Sequence, residues 1–195
     1  YLTLVLDPHT HSVFSDGHVW PRIRVAEALR DGLDALAIKQ GLLSDEIAYL
    51  TELATPDVAV VTNASAAHLE GFGTLEGVAR AKGELFSGLA ADGIAVINAD
   101  DRFATLWHTL AGPRRVITFG LQNPADVSAQ CQMHDGRTEM VLDYQQQRIP
   151  LYLPLPGRHN VMNALAASAV AIALDLPMSV IKAGLELGGE IGTVR

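Results

Sequence analysis

An α/β domain of three layers, with a mainly parallel sheet between helices and a small antiparallel annex, is what this sequence predicts. Three observations predict it. Apolar, β-branched runs without alternation, such as Asp57 to Thr62 and Gly93 to Asn98, suit strands buried on both faces of a parallel sheet. Stretches with apolar residues at helical spacing lie around and between these runs. From Val127 onward the texture changes to open alternation interrupted by turn residues, the pattern of antiparallel hairpins.

In chain order, Tyr1 to Leu6 reads as a buried strand. Pro21 to Asp31 follows as a helix that opens on proline and closes at Gly32, and Leu33 to Ile38 is a second strand. Ser44 is placed to cap a helix over Asp45 to Leu53, with two acids in its first turn. Pro56 stops that helix. The strand from Asp57 to Thr62 ends at Asn63, and a glycine-spaced loop with His68 leads to a helix from Thr74. Asn98, Asp100 and Asp101 are expected either to cap a short helix reaching Leu110 or to give polar support, and Arg115 to Phe119 is the next strand.

Val127 to His134, Thr138 to Tyr144 and Arg148 to Leu153 make the annex, from about Asp126 to Pro154, with Asp135-Gly136 at one turn. An alanine-rich helix, Val161 to Leu174, and a last helix, Met178 to Leu187, complete the chain. Residues 188–195 have no assignment. Without repeats, low-complexity segments or a long linker, residues 1–195 read as one α/β domain.

Composition sets the bounds on function. A hydrophobic share of 49% is ample for a core, so the chain is expected to be globular. A net charge of −8 and no lysine or arginine run argue against a nucleic-acid partner. A single cysteine, Cys131, excludes an internal disulfide and points to the reducing cytoplasm. Leu2 to Leu6 is too short for a signal core, and Ala164 to Leu174 is too short to span a bilayer, so neither targeting nor a membrane partner is expected.

Lys82 is the residue that most needs explaining. It falls within the apolar stripe of Leu75, Val78, Ala79, Leu85 and Phe86, and a buried ammonium without partners loses more hydration than packing returns. Either its stem covers apolar surface while the head reaches water, or it serves an anion or a modified metal site. His68, in the loop at the same end of the strand, favours the second reading, because open α/β sheets bind ligands at the carboxyl ends of their strands.

A different ligand pattern stands near the start. His9 and His11, two apart, point the same way on an extended chain, and Asp16 adds an oxygen donor suited to zinc, iron or manganese. The string HTHSVFSDG resembles the opening motif of the PHP family of metal-dependent phosphoesterases. That resemblance implies metal at His9 and His11 and covers a βαβ segment within residues 1–40. It stops at Lys39-Gln40-Gly41, where the family carries Thr-Asp-His.

Over residues 41–187 four blocks carry another resemblance: TNASAAHLEGFG (Thr62 to Gly73), ARAKGELF (Ala79 to Phe86), NADD (Asn98 to Asp101) and LPLPGRHNVMNALAA (Leu153 to Ala167). Together they resemble the central, ATP-binding domain of the Mur ligases, cytoplasmic enzymes that build the peptidoglycan precursor. The resemblance implies a P-loop-like or Rossmann-like sheet, with ATP and magnesium as cofactors and a nucleotide and a peptide precursor as small-molecule partners. It makes His68 a magnesium ligand and Lys82 a carbamylated lysine, both of them catalytic. Asn63 is assigned to the nucleotide site, and His159, Asn160 and Asn163 to the neighbourhood of the adenine. For Asn160, capping of its own helix stays open as the alternative.

No G-x-x-x-x-G-K-[ST] phosphate loop occurs in the sequence, and neither the acidic Glu-Leu-Gly-Ala-Asn element nor the flanking domains of the family are found in it. One βαβ unit, carrying the HTHSVFSDG loop, stands where the family has its phosphate loop. The expectation is therefore a recombined chain without ligase activity of its own; a metal-dependent phosphoesterase remains the alternative.

Overall fold

In the computed structural model, residues 51, 56–64, 74–134 and 136–187 are described. The strands expected at Tyr1–Leu6 and Leu33–Ile38, the helix at Pro21–Asp31, most of the Asp45–Leu53 helix and the tail from 188 lie outside the described residues. Among those described, six strands make one sheet in the order β1-β2-β3-β4-β5-β6. It is an α/β fold: pairing is parallel in β1–β2 and β3–β4 and antiparallel over β4–β5–β6, the annex that the alternation predicts. The chain packs as two compact units.

The first unit contains β1 (Val58–Val61), α1 (Leu75–Ser87), β2 (Ile94–Asn98) as far as Ile97, and α2 (Ala104–Ala111). β1 and β2 run in register from Val58 opposite Ile94 to Val61 opposite Ile97, and burial of Ala59, Ala95, Val96 and Ile97 is complete. α1 begins where the Thr74 hydroxyl accepts from the Gly77 amide at 3.0 Å, a side-chain N-cap. Val78, Ala79, Ala81, Gly83, Leu85 and Phe86 form its buried face.

α2 crosses close to α1 because position 83 is glycine; a Cβ there would collide with Leu110 Cδ1. Close approach buries Trp107 fully, and its indole N–H donates to the Ala79 carbonyl at 2.9 Å, so the large ring enters the core with no polar cost. At the other end of both helices the Arg114 guanidinium donates to the carbonyls of Leu89, Ala90, Ala111 and Ser87, taking up acceptors that helix ends leave unsatisfied.

The second unit holds β3 (Arg115–Gly120) from Ile117, β4 (Val127–His134), β5 (Arg137–Tyr144), β6 (Gln147–Leu153), α3 (Arg158–Ala173) and α4 (Met178–Leu187). β5 alternates as its sequence does: Thr138, Met140 and Leu142 are buried while their neighbours are not. β5 and β6 are joined through Gln145 and Gln146, both at positive φ (47° and 68°), the twist that tight hairpins prefer. α3 packs on β4 and α4 on β6. α3 starts at Arg158, three residues ahead of the expected Val161. Gly157, at φ 104°, is where the chain turns, so the residues after it are already helical.

Candidate functional site

Candidate polar residues occur in each unit. In the first, Asn63 follows the carboxyl end of β1, and the half-buried Lys82 reaches it from α1: Nζ donates to the Asn63 carbonyl at 2.8 Å. The lysine therefore neither sits inside the apolar face nor escapes wholly to solvent. Its head is hydrogen-bonded at the strand end, where α/β sheets place their ligands.

Asp101 anchors the same place. Its Oδ2 accepts from the Ala64 amide at 2.9 Å and its Oδ1 from the Phe103 amide at 2.8 Å. The helix it precedes starts only at Ala104, and its N-cap position, Phe103, supplies no side-chain bond. Asp101 thus caps the turn before α2 and ties down the segment after β1, two tasks where capping or support were expected as alternatives.

In the second unit, Asp100 is enclosed by backbone. Its carboxylate accepts from the amides of Leu121 at 2.7 Å, Gln122 at 3.0 Å and Asn123 at 2.8 Å, three consecutive N–H groups forming a concave anion nest. Asn98 Oδ1 accepts from the Asp100 amide at 2.9 Å, and Asn123 Nδ2 donates to the Ala99 carbonyl at 2.8 Å. Burial pushes the Asp100 carboxyl up, but the Asn123, Leu121 and Gln122 amides and the Arg158 charge outweigh it, so the group ionises below its ordinary value. Asn98 and Asp100 are the polar support of the NADD block.

The first turn of α3 carries Arg158, His159 and Asn160, with Asn163 one turn on. Arg158, His159 and Asn163 are exposed, and Asn160 is half-buried. Asn160 does not cap its helix as the alternative had it. Its Nδ2 donates backward to the Pro156 carbonyl at 2.7 Å, bracing the turn that leads in. The His159 ring lies over Gly157, where a Cβ would stand 2.8 Å from its Cε1, so a larger residue there would push the exposed ring aside as well as strain the backbone at φ 104°.

Sequence reasoning missed the reach of Asp101 to Ala64, 37 residues away, for which two adjacent acids after a buried strand were the available signal. His68, His9, His11 and Asp16 lie outside the described residues. Among the described residues no group of three or more His, Cys, Asp and Glu is arranged to hold a metal ion, and no helix is long and apolar enough to cross a membrane. Near Lys82 the Asn63 carbonyl is one oxygen donor. An ammonium repels a divalent cation and a carbamate attracts one, so the lysine would suit magnesium only in its modified form.

Comparison with known proteins gives the family. The profile of the Mur ligase middle domain matches residues 26–171, which carries the likeness upstream of Asp45. UDP-N-acetylmuramoyl-tripeptide–D-alanyl-D-alanine ligase of Escherichia coli (strain K12) is 44% identical over 142 residues, 72% of this chain and 31% of that protein. The crystal structure of MurF from Acinetobacter baumannii superposes with a TM-score of 0.68 at 33% identity, covering 72% of this chain and 31% of its own. MurF ligase from Thermotoga maritima, solved in complex with ADP, gives 0.60 at 27% identity, over 68% of this chain and 31% of that one. The chain therefore spans about a third of the length of the relatives it matches.

Proposed function

Since this chain belongs to the Mur ligase family, matching its middle domain over residues 26–171, we propose that it is the nucleotide-handling part of a cytoplasmic, ATP-dependent ligase of peptidoglycan precursor synthesis. The proposed reaction joins a nucleotide-linked peptide to a D-alanyl-D-alanine amine. A peptide carboxylate oxygen takes the γ-phosphoryl group of ATP and ADP leaves; the amine then attacks the acyl carbon and expels phosphate, leaving an amide.

The observation that carries this reading is Lys82, whose Nζ is fixed on the Asn63 carbonyl at the carboxyl end of β1. Carbamylation there balances simply. The neutral amine forms an N–C bond to carbon dioxide, one C=O pair moves to oxygen, and the amine loses a proton to solvent. The product is carboxylate-like and keeps one N–H. With His68 it would hold magnesium, which when bound neutralises phosphate charge. Asn63 lines the same end of the strand, and His159, Asn160 and Asn163 are assigned to the adenine. Arg158 adds positive charge to that turn.

Without a Gly-x4-Gly-Lys-[Ser/Thr] loop in the sequence, the 195 residues alone are expected to bind nucleotide weakly and not to turn it over. Titrating the isotopically labelled chain with magnesium-ADP and following its amide resonances tests both parts. Weak, saturable shifts at 63–64 and 158–163 support the reading, and no shift at either place sinks it. Micromolar binding that Lys82→Ala abolishes would contradict the weakness assigned to the missing loop.

The string HTHSVFSDG favours a second, separate site, for zinc, iron or manganese at His9, His11 and Asp16, on a segment of recombined origin. Metal analysis decides it: stoichiometric metal lost in His11→Ala supports the site, and a metal-free purified protein contradicts it.

A further inference from the structure

The carbonyl that receives Lys82 and the amide that Asp101 holds belong to one peptide group. The C=O of Asn63 accepts from Lys82 Nζ at 2.8 Å, and the N–H of the same Asn63–Ala64 peptide donates to Asp101 Oδ2 at 2.9 Å. We propose that Asp101 is a positioning residue for Lys82, acting through this peptide plane; the inference rests on the reading of Lys82 as the carbamylated lysine.

A peptide is planar, so fixing the direction of its N–H fixes the direction of its C=O. The segment that contains it has just left β1, and the strand's own ladder ends at Val61 opposite Ile97. Orientation beyond that point needs another source, and the Asp101 carboxylate supplies it. Asp101 is itself held, since its second oxygen is taken by the Phe103 amide at 2.8 Å and its own carbonyl accepts from the Ala104 amide at 3.0 Å. A carboxylate locked at the start of α2 thus sets a carbonyl at the end of β1, and that carbonyl sets the head of a side chain on α1.

Negative charge on Asp101 also polarises the peptide, which strengthens the carbonyl as an acceptor, because hydrogen bonds in series reinforce one another. A carbamate keeps one N–H, so the same carbonyl receives the modified lysine as it receives the unmodified one. Asp101 touches neither nucleotide nor metal in this scheme, and its effect is on where Nζ stands.

The test is carbon-13 spectroscopy of the full chain in labelled bicarbonate, read beside its assigned amide spectrum. A carbamate signal absent from Lys82→Ala identifies the modified lysine. Asp101→Asn offers one oxygen where two amides need acceptors, and losing a charge-assisted bond is expected to lower carbamate occupancy at limiting bicarbonate about tenfold. Arg114→Gln, which loosens the far ends of α1 and α2, is the control for general destabilisation. Unchanged occupancy in Asp101→Asn overturns the proposal, as does an equal fall in Arg114→Gln. If the unaltered chain shows no carbamate, the carbamylation reading fails and the amide spectrum still judges the relay. The Ala64 amide proton must move in Lys82→Met; an unmoved proton overturns it.

Discussion

The end of β1 and the first turn of α3 carry polar residues of the same proposed purpose in opposite ways. At the first, Lys82, the Asn63–Ala64 peptide and Asp101 form a chain of hydrogen bonds in which each member constrains the next. At the second, Arg158, His159 and Asn163 stand in solvent and only Asn160 is tied down, to Pro156. A polar group that loses water must find partners, so partial burial built a network at Lys82. Exposure imposes no such demand, and the α3 turn is held by glycine geometry instead.

Breaking the network should cost most. Asp101→Ala leaves the Ala64 and Phe103 amides without their acceptor and is expected to lower unfolding free energy by about 2–4 kcal/mol in urea titration. Next comes Gly157→Ala, which forces a Cβ into the left-handed region and against the His159 ring. About 1–3 kcal/mol is expected, with displacement of the His159 resonances.

A smaller effect sharpens the comparison through pH. Asp100 ionises below its ordinary value, so the stability it contributes is present above the unfolded-chain value of about 3.9 and is lost as pH falls through the lower folded value. Asp100→Asn should flatten the acid limb of stability against pH below that point and leave its course near neutrality unchanged. The smallest effect belongs to the exposed turn itself: His159→Ala should shift stability by less than about 0.5 kcal/mol in the same titration while weakening the amide shifts caused by magnesium-ADP.

Much of the fold was legible in the sequence because burial writes itself into residue type. The unalternated run at Gly93 to Asn98 became β2, and Val127 to His134 became β4 over the same residues. The start of α3 was harder to place, since Arg158, His159 and Asn160 look like loop residues until the φ of Gly157 is known. Lys82 was conspicuous as a charge in an apolar stripe. Asp101 was not: an acid before a helix reads as a cap, and its bond to Ala64 spans 37 residues that no local pattern connects. His159 was legible only through the resemblance of its block, because an exposed imidazole obeys no packing rule.

Lys82 and Asp101 are proposed to act as one unit across a peptide that neither of them owns. A double-mutant cycle of Lys82→Met and Asp101→Asn, read by urea unfolding, tests that most directly. A coupling of at least about 0.5 kcal/mol is predicted, against near-zero coupling for His159→Ala with Asn163→Ala on the exposed turn. Additive effects at Lys82 and Asp101 would contradict it.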